Sequence, residues 1–252
     1  MSTIKRKLDW KSYHDERSKG YSLRSLIGKT TVTPRKVMWE EGTVLDQGSE
    51  GACVGFGWMA EILATPVAPA KQPAATVANK IALEYYNRAK QLDEWPGESY
   101  EGTSVLAGAK AVKEKGLIKE YRWCFSVEDI RDAVILEGPV VIGVPWHKNM
   151  YSTLKNGLVT VTGPVVGGHC LTITGYDPEF KIGSRVEEVF RWRNSWGTSY
   201  GVNGSGYIKV SDLKELLKTS GEACVPIGRK SLNFGVTRAF QNIFLKRLFK
   251  DG

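Results

Sequence analysis

Asp46-Gln47-Gly48-Ser49-Glu50-Gly51-Ala52-Cys53 is the stretch that decides how this chain is understood. It ends on a cysteine, and the residues that follow carry a helix-like apolar pattern with Met59, Ile62 and Leu63 on one side. Cys53 is therefore expected at a helix N-terminus, where the positive end of the helix dipole favours thiolate over thiol. The glycines around it leave room for another backbone to approach. Gln47, six residues earlier, can aim its amide at the same point as the Cys53 backbone N–H. Two such donors make an oxyanion hole for an acyl-transfer intermediate. Gly55 and Gly57 each cost the helix about 1 kcal/mol against alanine, so their expected use is close backbone packing.

Downstream, residues 65–79 hold Pro66, Pro69 and Pro73 among alanines and read as a surface loop. Ile81, Tyr85 and Leu92 mark a second helix, and Thr103 to Gly116 a third, with Val105, Ala109 and Val112 on one face. Ser126-Val127-Glu128-Asp129 has a capping-box pattern for a short helix before Gly138-Pro139.

After Pro139 the period changes. Val140–Val144 is a β-branched run suited to a buried strand, and residues 157–162, 169–174, 189–193 and 207–210 are further strand candidates. The first half is helical and the second sheet-rich, which predicts an α+β arrangement in two lobes with a site between them. The sheet-rich half supplies Gly167-Gly168-His169-Cys170. In a strand, His169 shares a face with Leu171 and Ile173 while Cys170 points the other way. Taken alone, such a histidine is more often structural. Asn194-Ser195-Trp196-Gly197 follows the Phe190/Trp192 strand. An asparagine there can take the second imidazole N–H and fix the tautomer, and Trp196 can exclude water from that bond.

In their order and spacing, Gln47, Cys53, His169 and Asn194 resemble the papain family of cysteine peptidases. Gly51-Ala52-Cys53 matches the middle of the cysteine motif. The likeness extends upstream through Val37-Met38-Trp39 and Gly42-Thr43-Val44, and downstream through Asn194-Ser195-Trp196-Gly197 to residues 204–207. It covers roughly residues 34–210. The resemblance implies a papain-like two-lobe fold with a helical lobe, an antiparallel β-barrel-like lobe and the active site in the cleft between them. It further implies an endopeptidase in which Cys53 is the nucleophile, His169 the base and then the acid, Asn194 the orienting group and Trp196 its shield. Gln47 and the Cys53 N–H would bind the oxyanion. A thiolate–imidazolium pair is then expected before substrate arrives. The Glu101-Gly102-Thr103 turn, Gly102 above all, is a candidate substrate-binding element; an ordinary loop before a helix is the equal alternative.

The sequence also departs from that pattern. Glu50 stands where secreted members carry a half-cystine, and Val54 replaces an aromatic residue. Cys53 precedes His169 by 116 residues, shorter than the ~130–150 of the family. About 33 residues precede the resemblance, so the expectation is a compact bacterial or viral branch without a long inhibitory pro-segment. Two other functions use or discard the same thiol: an acyl transferase or cell-wall amidase, and a non-enzymatic binding protein on a peptidase fold.

Composition bounds these readings. The chain has 252 residues, 42% hydrophobic and 25% charged, with a net charge of +8 and a mean hydropathy of −0.26. Its apolar runs fall short of the ~20 residues of a membrane helix. The charge is uneven: residues 1–36 hold ten Lys/Arg against three Asp/Glu, residues 225–252 six against one, and the body between is at −4. A pan-basic nucleic-acid surface is therefore not supported, and the expected partner is a polypeptide substrate. The four cysteines, Cys53, Cys124, Cys170 and Cys224, show no metal spacing, so no cofactor or metal is expected. Their wide spacing and the absence of an apolar leader suit a cytoplasmic or otherwise reducing compartment. His14 and His147 have no companions and read as structural; Cys124 and Cys224 read as buried.

The resulting division is a basic arm over 1–33, a peptidase domain over 34–224 and a basic tail over 225–252. The helical lobe spans about 45–136 and the sheet-rich lobe about 137–224. The tail places Phe240, Ile243, Phe244 and Leu248 on one helical face. It reads as a helix docked on its own domain or, alternatively, one that contacts a protein partner or a membrane surface. A monomer is expected. The basic arm crossing the acidic cleft is the expected means of restraint.

Overall fold

Two large apolar clusters pack on opposite faces of an antiparallel sheet, and a small third one joins α3 to α4. The structure is a computed structural model and describes residues 6–97 and 99–232. After a 3-10 turn at Glu16–Tyr21, the elements run α1 (Leu23–Ile27), β1 (Val37–Met38), α2 (Cys53–Leu63), α3 (Ala75–Leu92), α4 (Val105–Glu114), β2 (Glu120–Trp123) and α5 (Val127–Leu136). Then come β3 (Val140–His147), β4 (Val165–Ile182), β5 (Arg185–Arg193), β6 (Ser205–Lys209), α6 (Val210–Thr219) and β7 (Glu222–Ile227). The sheet order is β2-β7-β3-β4-β5-β6, with β1 paired to β4.

All eleven residues of α2 are buried, because it lies between α3 and the sheet. The two glycines make this possible. A Cβ at Gly55 would strike the backbone of Ala82 and Tyr86, and one at Gly57 would meet Cys170 Sγ at 2.9 Å. Thr172 Oγ1 then donates to the Gly57 carbonyl at 2.6 Å, tying β4 to α2. Alternation along β4 turns Cys170 toward the helical cluster and Leu171 and Ile173 into the barrel cluster. Ser104 caps α4 by accepting from Ala107 N at 3.1 Å, and Ser126 caps α5 by accepting from Asp129 N at 3.0 Å. Gly116, at φ +72°, follows the end of α4.

Several elements differ from the sequence reading. Helix α3 starts at Ala75, so the proline loop ends sooner than residue 79; Ala75 and Ala78 favour helix once the last proline, Pro73, is passed. Residues 157–162 make isolated bridges to Thr153 and Tyr207, not a strand. Strands β2 and β7 and helix α6 were not foreseen: β2 is four residues long with two charges, α6 is rich in charged residues, and β7 carries Pro226 inside a short run. The boundary drawn at 224/225 falls inside β7, which pairs with both β2 and β3. The expected tail helix lies outside the described residues. Among the described residues, no helix is long and apolar enough to cross a membrane.

From Arg6 onward the arm is an ordered strap. Arg24 pairs with Asp129 and Asp132 on α5, both at 2.6 Å, and Lys36 pairs with Asp177 at 2.6 Å. Trp10, only 6% exposed, belongs to the helical cluster. Truncating such a buried indole typically costs about 3–5 kcal/mol.

Candidate active site

Of the residues singled out in the sequence, His169 and Asn194 are hydrogen-bonded, Gln47 is tied to Ser195 next to them, and Cys53 lies against the backbone N–H of Cys170, the neighbour of His169. Cys53 opens α2, and its preceding residue Ala52 makes no side-chain cap. The free N–H groups of the first turn are thus left for other acceptors. His169 comes from β4 and Asn194 from the end of β5, 25 residues apart in sequence. His169 Nε2 lies 2.8 Å from Asn194 Oδ1. That oxygen also accepts from Ser195 N at 2.7 Å, so it is an acceptor and Nε2 must carry the proton. The neutral ring therefore has a bare Nδ1, which is buried and without a partner.

Aromatic rings close over this pair. Trp196 lies 4.8 Å from the His169 ring at 30°, and Trp146 lies 4.8 Å away at 76° on another side. Tyr151 stacks on Trp196 at 5.3 Å and Tyr200 meets it edge-on. Trp196 was legible in the Asn-Ser-Trp-Gly block. Trp146, Tyr151 and Tyr200 were missed; only the strand pattern of 140–144 hinted that Trp146 would continue toward the site.

Gln47 joins the two sequence blocks. Its Oε1 accepts from Ser195 Oγ at 2.6 Å, and its backbone N donates to Ser195 O at 2.9 Å. With Oε1 held, Nε2 is aimed the other way, donating to Glu50 O at 2.7 Å and Lys7 O at 3.3 Å.

Lys7 belongs to the arm, which runs through the cleft. Arg6 ion-pairs with Asp46 and donates to the carbonyls of Gly48 and Trp196 at 3.1 and 3.0 Å. Asp9 bridges Gly168; Trp10 N donates to Gly168 O and Lys11 N to Thr103 O, each at 3.0 Å. Lys7 also pairs with Glu101. Gly102, at φ +87°, is required here: a Cβ would collide with the Asp9 backbone, and one at Gly51 would collide with the Asp9 carboxylate. The Glu101-Gly102-Thr103 turn thus does hold an extended chain by its backbone, and that chain is the protein's own.

Electrostatics in this covered form differ from the sequence expectation. Burial pushes the Cys53 thiol up to about 11, against the backbone N–H groups of Cys170, Asp9 and Val54, which favour the thiolate. Burial likewise pulls His169 down to about 4, with the Asn194 hydrogen bond opposing it. Burial thus favours the uncharged form of both groups under the arm, working against the expected thiolate–imidazolium pair. Asp9, close by and partly buried, is raised as well. Among the described residues, no group of three metal-ligating side chains is arranged to hold an ion.

A helical lobe and an antiparallel sheet lobe, with a cysteine opening the central helix and a hydrogen-bonded histidine–asparagine pair on the sheet, are the features of the papain-like class of cysteine peptidases. Residues 73–227 match the papain family cysteine proteases, and the chain belongs to that family. The matched region starts beyond Cys53. Among solved structures, the chain is similar to xylellain, a cysteine protease from Xylella fastidiosa. The identity is 18% over 90% of this chain and 99% of that one, at a TM-score of 0.59. It is also similar to the digestive procathepsin L2 of the Tenebrio molitor larval midgut (17%, 86% and 77%, 0.57). The proform of Amb a 11, a cysteine protease and ragweed pollen allergen, follows (18%, 82% and 70%, 0.56). These likenesses are of fold. No curated protein matches the sequence.

Proposed function

We propose that the chain is an endopeptidase that hydrolyses peptide bonds through Cys53, His169 and Asn194, with Gln47 in the oxyanion hole. The observation that carries this reading is the position of the Gln47 amide. Fixed by Ser195, it donates to a peptide carbonyl in the cleft beside Cys53, as an oxyanion donor must.

The chemistry follows from the tautomer. With the arm displaced and water admitted, the bare Nδ1 of His169 takes the Cys53 proton. The thiolate attacks the substrate carbonyl carbon, and the oxyanion is held by Gln47 Nε2 and the Cys53 N–H. His169 then gives its proton to the leaving amine as the C–N bond breaks, leaving a thioester on Cys53. Water, deprotonated by His169, attacks the thioester and releases the acid. Asn194 keeps Nε2 protonated throughout, and Trp196 keeps water off that bond. The four cysteines are free and buried in the structure.

An epoxide-type thiol inhibitor should inactivate the protein irreversibly with its adduct on Cys53. Cys53→Ala should lower peptide cleavage by at least about 10⁴-fold. Cleavage unchanged in Cys53→Ala would overturn the proposal.

A further inference from the structure

The arm brings a guanidinium into the cleft, and the cradle that receives it belongs to the body of the protein. Both terminal nitrogens of Arg6 face the Asp46 carboxylate: Nη1 donates to Oδ1, and Nη2 donates to Oδ2 at 3.3 Å. Nη1 also donates to Gly48 O at 3.1 Å, and Nη2 to Trp196 O at 3.0 Å. One planar fork thus meets two carboxylate oxygens and two carbonyls, a bidentate pattern that suits arginine better than a point charge. The Arg6 side chain is 13% exposed.

Contacts within the body hold these acceptors in place. Asp46 Oδ1 accepts from Gly48 N at 2.9 Å, and Asp46 N donates to Asn79 Oδ1, on α3, at 3.2 Å. Asp46 also bridges Trp196. Gln47 N donates to Ser195 O and Gly197 N to Leu45 O, each at 2.9 Å, on either side of that bridge. A Cβ at Gly197 would meet Asp46 Oδ2 at 2.8 Å, so the glycine lets the carboxylate lie against the Trp196 backbone. When the arm leaves, a carboxylate and two carbonyls lose their donors together, and a side chain that replaces all of them is favoured. The cradle adjoins the reacting atoms. Lys7, whose carbonyl meets the Gln47 amide, follows Arg6 directly, and one residue of extended chain spans about 3.4 Å. Burial is the main reason that His169 is held low, and the Arg6 charge acts in the same direction, so a guanidinium here is within electrostatic range of the ring.

We propose that Asp46, with the carbonyls of Gly48 and Trp196, is a guanidinium site that selects peptides carrying an arginine within two residues of the cleaved bond. The inference rests on the peptidase reading for its consequence in catalysis but not for binding. A hydrogen-bonding site discriminates against analogues that leave its own groups unpaired. Citrulline matches arginine in size and planarity, but it is uncharged and turns an oxygen toward one of the acceptors. Lysine brings the charge without the fork. Asp46 is 40% exposed, so solvent moderates the pair, and the preference expected for arginine over citrulline is about tenfold to thirtyfold.

The test uses the full chain carrying Arg6→Ala and Trp10→Ala, which remove two anchors of the arm, and Cys53→Ala, which prevents turnover. Short peptides bearing one variable residue, walked through the three positions on either side of a fixed bond, are titrated by calorimetry. The variable residue is arginine, citrulline or lysine. At one position within two residues of the bond, arginine should bind at least about tenfold tighter than the other two. Adding Asp46→Asn, which keeps an acceptor for Gly48 N, should weaken arginine at that position by about tenfold and leave citrulline unchanged. Equal binding of arginine and citrulline at every position, a preference confined to the outermost positions, a preference that survives Asp46→Asn, or no binding at all would each overturn the proposal. If Asp46→Asn fails to fold, methylguanidinium decides in its place on the Asp46-containing chain. It should compete with the arginine peptide and not with the citrulline peptide; competition with both or with neither would overturn the proposal. Discrimination in binding with no peptide cleaved once Cys53 is restored would sink the peptidase reading and leave the cradle assigned. Cleavage of all peptides alike would do the reverse.

Discussion

Gln47 Nε2 donates to the carbonyl oxygen of Lys7 at 3.3 Å, so the donor proposed for the oxyanion is engaged by the protein's own arm. Two residues on, the Asp9 N–H faces the Cys53 sulfur. The sulfur is thus met by a hydrogen-bond donor where a substrate would offer an electrophilic carbonyl carbon. The arm fits the cleft without presenting a bond to break.

Loosening the arm should therefore raise turnover. Trp10→Ala removes the indole anchor and its hydrogen bond to Glu222 while leaving Cys53, His169 and Asn194 in place. The expected outcome is a rise in kcat/KM on a short fluorogenic peptide of at least about tenfold, for a loss of arm binding of more than about 1.4 kcal/mol. Unchanged turnover would mean that the arm already opens freely.

The reactivity of Cys53 should follow the same contact. The thiolate is the reactive form, and burial holds the thiol up to about 11 under the arm. A raised value means less thiolate at any lower pH, so alkylation of Cys53 should rise about tenfold per pH unit between 7 and 10 without a plateau. In Trp10→Ala, water reaches the site, the desolvation cost falls and the profile should shift to lower pH. Iodoacetamide labelling, followed by mass spectrometry of the Cys53 peptide, reads this directly.

Asn194→Ala should slow catalysis by about tenfold to hundredfold. It removes the acceptor of the 2.8 Å bond from His169 Nε2 and frees the ring to take the other tautomer. Losing a buried partner costs about 1–3 kcal/mol. The loss should fall on kcat more than on KM in steady-state kinetics, because Asn194 acts through His169.

A separate prediction concerns stability. Arg229 ion-pairs with Glu61 near the end of α2, and donates to the Glu61 and Ala64 carbonyls at 2.6 and 3.0 Å. Their side chains are 5% and 1% exposed. Burial pushes the Glu61 carboxyl up to about 7, opposed by the Arg229 charge. Arg229→Ala strands that carboxyl and should cost about 3–5 kcal/mol in urea unfolding. Replacing both residues, as Glu61→Leu with Arg229→Met, should recover most of it.

How much was legible in the sequence depends on the range over which each feature is specified. Met59, Ile62 and Leu63 announced a helix after Cys53, and Ser126 with Asp129 announced a cap, because both are set within one or two turns of chain. Gln47, Cys53, His169 and Asn194 could be named because each carries a chemistry its neighbours support: a helix N-terminus, a strand face, a shielding tryptophan. Glu222 carried no such signal. A charged residue at the start of an unforeseen strand gains meaning only from Trp10, 212 residues away.

The sequence by itself determined the two-lobe class, the order of the reactive residues and the opposite charges of arm and body. Only the tertiary structure decided that Arg6 to Lys11 lie along Gly168 and Thr103, that Trp10 ends on Glu222, and that burial beneath them disfavours charge on Cys53 and His169. The physical reason is that an extended arm has no internal period. Its register is set by backbone hydrogen bonds and glycine gaps in partners distant in sequence, and the protonation of the site is set by the water those contacts exclude.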